Sequence, residues 1–244
     1  MGESTTAAAP TPRRRARLGA LVLIAILAVG VASARAAPRT VTRARAPAIA
    51  AALDLRPGDL PALRIAANPI TARERALDRE FAGCVGGVAN SRAYAAAQSP
   101  EFSSSRGAAV TIDSTTEIMP SAALVRRDLS AMTGPRGIPC LQRQLRGVLS
   151  TGLARGDSLQ ISAARLPGIV AGGDGTFLLR FTATVGVRQG ASIVTVPIYY
   201  DSIGIAYGQA EIGLQLLSTE APPSPRLEQR LALTLLERAR AAIG

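Results

Sequence analysis

Apolar residues recur along this chain in three rhythms. From Leu18 to Ala32 (LGALVLIAILAVGVA) they run on without a charge. Over 72–149 they return mostly every third or fourth residue, the period of one helix face, and over 159–217 they largely alternate, the period of a strand. Ala72 to Val85 place Leu77, Phe81, Cys84 and Val85 at i, i+4, i+7 and i+8, so the spacing predicts a helix with Cys84 turned to the core. Ala109 to Ile118 set Val110, Ile112 and Ile118 against Thr111, Asp113, Thr115 and Glu117, a half-buried strand. Ser121 to Met132 return to helical spacing through Val125, Leu129 and Met132 until Gly134-Pro135 stops them. Ile138 to Leu149 form another helix, with Ile138, Leu141, Leu145, Val148 and Leu149 on a stripe beside Cys140.

After the break at 152–156, strands are predicted at Leu159 to Ala164, Thr176 to Val187, Ser192 to Tyr200 and Gly204 to Leu217. Gly172-Gly173-Asp174-Gly175 and Gln189-Gly190 between them are turn chemistry, and links this tight join antiparallel neighbours. Pro197 lacks an N–H for the ladder, which assigns its strand to an edge or a bulge. Ser224-Pro225 supplies an N-cap and a first-turn proline for a closing helix whose Leu227, Leu231, Leu235 and Ile243 should cover one sheet face. The fold class that follows is α+β: an antiparallel β-sheet meander packed against helices, one domain over 55–244 and long enough for a single core.

The apolar run follows Arg13-Arg14-Arg15-Ala16-Arg17 and ends at Ala32-Ser33-Ala34, a small-residue pattern suited to a signal peptidase. Residues 1–34 are thus expected to be a signal peptide or an N-terminal membrane anchor, the apolar stretch 18–34 being at the short limit for a span. Both alternatives leave the Arg cluster in the cytoplasm and the rest outside, secreted or anchored in the cytoplasmic membrane. Residues 35–54 mix Arg, Ala and Pro without a period and are expected to be a linker. Its Arg35, Arg39, Arg43 and Arg45 suit a solvated tether or contact with anionic lipid or wall polymer.

Charge changes the picture once it is divided along the chain. The formal net charge is +11, but residues 1–45 hold eight Arg against Glu3 alone, and the remainder holds 20 Arg against 16 acids. The excess lies beside the export segment, and aromatics are only 3% of residues, so nucleic acid is not expected as a partner. No His excludes a Ser-His or Cys-His nucleophile pair and a His-ligated zinc site, and no Lys excludes a Walker loop and Schiff-base chemistry. No cofactor is expected.

What remains for chemistry is carboxylates: Asp54, Asp59, Glu74, Asp78, Glu80, Asp113, Glu117, Asp128, Asp157, Asp174, Asp201 and Glu211. Several sit beside Arg, as in Arg73-Glu74-Arg75 and Asp78-Arg79-Glu80, and read as a solvated helix face. A hydrolase would need two of them facing inward in one pocket, whereas a binding module would show an apolar groove or a flat patch. The glycine-rich 172–175 precedes a strand and not a helix, so it is a hairpin turn and not a phosphate loop. Ser103-Ser104-Ser105 has no base to activate it. Tyr199, Tyr200 and Tyr207, expected on two adjacent strands, form a possible ligand or partner surface, with alternation sending Tyr199 and Tyr200 to opposite faces. Cys84 and Cys140, the only thiols of an exported chain, are expected to form a disulfide closing a loop of about 57 residues, worth on the order of 4 kcal/mol.

The order of several short features resembles a family. These are Asp59-Leu60-Pro61, the helix ending in Cys84, Ser99-Pro100-Glu101-Phe102 before the first strand, and Cys140. Tyr207-Gly208-Gln209-Ala210, Pro222-Pro223 and the helix with Leu231 to Arg238 complete the set. Together they are similar to the actinobacterial LpqN-type lipoproteins and PknH-type extracellular sensor domains, over about residues 55–243. The chain differs in having no Cys after the apolar run and one Cys pair where the sensors have two. The resemblance implies a PsbP-like α/β sandwich and a role in ligand sensing or envelope-associated binding. The expected function is therefore a non-catalytic exported or membrane-tethered module that recognises a small ligand, an envelope component or a protein partner. The alternatives are a small carboxylate-dependent hydrolase or a structural envelope protein.

Overall fold

Eight antiparallel strands make one sheet in a computed structural model that describes residues 38–104, 109–168, 172–189 and 192–244. Strands β5 (Ser158–Leu166), β6 (Gly175–Gln189), β7 (Ser192–Tyr207) and β8 (Ala210–Thr219) follow one another as the expected meander. β4 (Val110–Ile118) lies along β8, and short β2 (Ala95–Gln98) and β3 (Glu101–Ser103) pair with its other edge; β1 (Arg64–Ala66) adds to β3. The sequence reading missed these three short strands. It also broke β7 at Tyr200, whereas β7 runs unbroken to Tyr207 and the turn falls at Gly208-Gln209, where Gly208 takes φ +57°.

Pro197 is tolerated for a local reason. β7 is interior, but its pairing with β8 begins only at Ile198, so Pro197 stands opposite Thr184 of β6 just past the end of β8. The expectation of an edge holds for that stretch and not for the strand.

Helices cover both faces of the sheet. On one face α1 (Ala46–Leu53) and α5 (Pro225–Ile243) pack on the larger core, where Ile112, Ile118, Ile203, Ile205, Ile212 and Leu214 meet Leu231, Leu235 and Leu236. Each such side chain removed from water contributes about 1.5–3 kcal/mol. Pro225 opens α5 as expected, but the Ser224 side chain makes no cap hydrogen bond. On the other face stand α2 (Ala72–Val85), α3 (Ala122–Thr133) and α4 (Gly137–Ser150), against Phe177, Leu179 and Phe181 of β6. Thr71 and Glu74 close a reciprocal capping box at the start of α2, and Gly86 at φ +78° ends it.

The expected linker is shorter than the sequence suggested. Residues 46–53 form α1, with Ala46, Ile49, Ala50 and Leu53 buried, because an Ala-rich segment with Ile and Leu four residues apart finds an apolar partner in α5. The chain is already docked upstream of it. The Arg39 N–H donates to the Ile243 carbonyl, Val41 is buried, and Arg43 lies over the Tyr94 ring at 5.9 Å. The export segment at 1–34 and Arg35 lie outside the described residues. Among the described residues, no helix is long and apolar enough to cross a membrane.

Polar clamps fix α5 and α1 on their face. Arg238 donates two hydrogen bonds to Asp59 (2.7 and 2.8 Å) and one to the Asp54 carbonyl. Arg180 donates to both oxygens of buried Asp201 and to buried Glu228. Burial, and then the hydrogen bond to Asp201, push Glu228 up to about 8. The Gln209 side chain, buried at the β7–β8 turn, accepts from the Val41 N–H and donates to the Met119 carbonyl, tying the docked N-terminal segment to the link between β4 and α3.

Candidate functional site

Alternation along β4 gives the sheet its second face. Ile112, Ser114, Thr116 and Ile118 point to the larger core, so Asp113, Thr115 and Glu117 point to the α2 side. The register then sets three cross-strand rows: Asp113, Gln215 and Ser202; Thr115, Gly213 and Gly204; Glu117, Glu211 and Ala206. The middle row is nearly without side chains, and α2 crosses over it with Leu77, Asp78 and Phe81 facing down. The result is a hollow of about 320 Å³ under α2, adjoined toward β2 by a second lobe of about 320 Å³ that shares Glu74, Asp78, Thr115, Glu117, Tyr200 and Gln215 with it. Phe177 lies against Gly204, where an added Cβ would come within 2.2 Å of the ring.

Six acids line the two lobes: Glu74, Asp78, Asp113, Glu117, Asp128 and Glu211. Glu117 and Glu211 are direct cross-strand partners, an arrangement of like charges that costs energy unless something neutralises it. Burial, then the charges of Asp78 and Asp128, push Glu117 up to about 8. Burial, then Glu101 and Glu74, push Asp113 up to about 7. Glu211 is driven well above the carboxylate range by burial and by Asp128, with which it shares a hydrogen bond. Burial raises Asp78 as well, although it accepts the Asn90 N–H. The Tyr200 hydroxyl is pushed up by burial and then by Asp113. Asp128 accepts the Val88 N–H at 2.6 Å, and Gly87 makes room for it.

Among the described residues, two oxygens in the hollow have no donor. Glu211 Oε2 and Gln215 Oε1 are buried and make no hydrogen bond. Among the described residues, no three carboxylates or thiols converge closely enough to hold a metal ion.

The structure sorts the residues singled out from the sequence. Cys84 and Cys140 form the disulfide, Cα to Cα 5.9 Å, which staples the end of α2 to the first turn of α4 and so fixes the cover of the hollow. The three tyrosines do not form one surface: all lie on β7, and only Tyr200 lines the hollow. Tyr207 packs against the opposite core beside α5, and Tyr199, eight residues before it, points to the same side. The helix face at 73–80 is solvated at Arg73, Arg75, Arg79 and Glu80, but Asp78 is turned inward. Asp174 belongs to the turn before β6, where its carboxylate accepts the Gly208 N–H. Ser103 is in β3. The hollow presents inward-facing acids, because the polar face of β4, expected in solvent, is covered by α2, while a separate pocket of about 420 Å³ between α2 and α4 is lined largely by Leu77, Phe81, Cys84, Cys140 and Val148. Glu211 and Gln215 were legible only as the polar alternates of a strand.

No family model matches the chain, and a search of curated proteins found none similar to it. Among solved structures, the chain is similar to the crystal structure of the extracellular domain of PknH from Mycobacterium tuberculosis. The TM-score is 0.41 at 10% identity, covering 82% of this chain and 97% of that one. A superposition this loose carries no function across, so what the hollow does must come from its own residues.

Proposed function

We propose that the chain is an exported, sensor-like binding module of the cell envelope that holds a small ligand in the hollow beneath α2 without transforming it. The observation that carries this reading is the floor of the hollow, where the Thr115-Gly213-Gly204 row leaves space and buried acceptors stand without donors. The formed Cys84–Cys140 bond supports an oxidising, extracytoplasmic location. Arg39, Arg43 and Arg45 remain exposed beside α1, where contact with anionic lipid or wall polymer is compatible with an N-terminal tether.

The inward acids favour the alternative, a carboxylate-dependent hydrolase, in one respect only. Such an enzyme needs one carboxyl kept protonated and another kept ionised across the scissile bond. The facing pair here, Glu117 and Glu211, are both pushed up, so neither is held as the ionised partner. Binding is tested by native mass spectrometry of protein purified gently from its host. It should carry a small molecule that is lost on denaturation and is absent from Leu77→Trp, whose larger side chain fills the space over the floor. A wild-type protein that carries nothing, or a Leu77→Trp variant that carries the same molecule, refutes the reading.

A further inference from the structure

The hollow is lined mainly by carboxyls and neutral polar groups. Glu211 Oε2 and Gln215 Oε1 are buried and lack donors, and the acids around them come from every surrounding element: Asp113 and Glu117 on β4, Glu211 on β8, Glu74 and Asp78 on α2, and Asp128 on α3. Tyr200 on β7 is the other titratable group there, and Glu101 on β3 stands near Asp113. Among the described residues Arg75 is the one basic residue in the lining, and it donates to the Ile70 carbonyl at the rim. An anionic ligand would enter this space against six carboxyls. A ligand that brings N–H donors and positive charge would satisfy the orphaned oxygens and the like-charge pair together.

The acids are spread and not convergent. Asp113 and Glu117 stand four residues apart on one strand, about 13 Å at a rise of about 3.3 Å per residue. That spacing, with no three-ligand cluster among the described residues, suits positive charges distributed along a chain better than a single metal ion. Phe81, Phe177 and Tyr200 supply apolar and π surface between the acids for the connecting methylenes and the cationic heads.

Resting on the binding reading above, we propose that the occupant of the hollow is a protonated aliphatic amine of the diamine or polyamine kind, held by Glu211, Glu117 and Asp128 at one end and by Asp113 at the other. When the hollow is empty, protons relieve the crowding of the carboxyls; an ammonium group takes over that role and displaces them. Binding is then linked to proton release and tightens as pH rises, by up to about tenfold per pH unit for each proton displaced.

The test is calorimetric titration of the full-length protein with spermidine at constant ionic strength at pH 6, 7 and 8. The expected result is saturable binding that tightens with pH. Glu211→Gln should weaken it by about tenfold or more at pH 8 and flatten its pH dependence. Glu237→Gln, on the exposed side of α5, should leave it unchanged, and Glu211→Gln should unfold at no lower temperature than the wild type. Spermidine bound equally well by Glu211→Gln marks mere surface attraction and overturns the proposal. If spermidine fails to bind while a neutral or anionic molecule co-purifies with the wild type and not with Leu77→Trp, the amine is refuted and the hollow stands. If nothing occupies the hollow, both fall.

Discussion

Replacing Glu117 by Gln should stabilise the protein increasingly as pH rises. The Glu117 carboxyl faces Glu211 across the ladder beneath α2, and burial, then Asp78 and Asp128, raise it from 4.5 to about 8. In the unfolded chain the same group ionises near 4.5. The stability that comes from holding the proton in the fold is therefore fully present below about pH 4.5 and is lost as pH rises through about 8. At about 1.4 kcal/mol per pH unit, the whole span is worth about 5 kcal/mol. Glu211 can keep a shared proton while Glu117 ionises, and water reaches the rim, so one substitution should recover less than half of this, about 2 kcal/mol. Asp113, raised to about 7, and Asp54, raised to about 6 chiefly by burial, slope the same way. Asp59 slopes oppositely, because Arg238 and the Arg56 N–H outweigh its burial and hold it low, but it acts only in acid. Thermal unfolding followed by circular dichroism, without added amines, checks the claim. The advantage of Glu117→Gln over wild type should grow by about 4–8 °C between pH 5 and pH 8, taking about 2–4 °C per kcal/mol for a domain of this size. An advantage that stays flat or shrinks over that range refutes the buried, crowded carboxyl on which the site is built.

Reduction of the disulfide, or Cys140→Ser, should remove about 4 kcal/mol and lower the unfolding temperature by about 8–16 °C in scans with and without dithiothreitol. Gly204→Ala should cost about 1–3 kcal/mol in urea unfolding, because its Cβ would strike the Phe177 ring. Gly83→Ala, in α2 with nothing within 4 Å, should gain about 0.5–1 kcal/mol in the same assay. Arg238→Ala should cost about 1–3 kcal/mol and raise the Asp59 titration midpoint toward its ordinary value of 3.8, read by carboxyl NMR shifts.

The sequence by itself determined the elements whose signals are local. The helix at Ala72–Val85 came with its bounds, since four apolar residues on one face and a glycine after the last leave little choice. The meander over β5 to β8 followed from period-two alternation and short glycine turns, and the closing helix from Ser224-Pro225 and its leucines. The cysteine pairing followed from there being two thiols. What could not be read was anything that depends on which surface lies opposite. Residues 46–53 carry a weak pattern and become a helix only against α5, and β1 to β3 are too short to show a period.

Only the tertiary structure decided the site. A strand's polar alternates look the same whether they face water or a covering helix, so Asp113, Glu117, Glu211 and Gln215 gave no sign that they share a wall. The register of β4 on β8 put Glu117 opposite Glu211 although the two are far apart in sequence. The disulfide, across 56 residues, held α2 over them and took the row out of bulk water. Burial is a property of the whole packing, and it is burial that turns ordinary surface carboxylates into groups that compete for protons and cations.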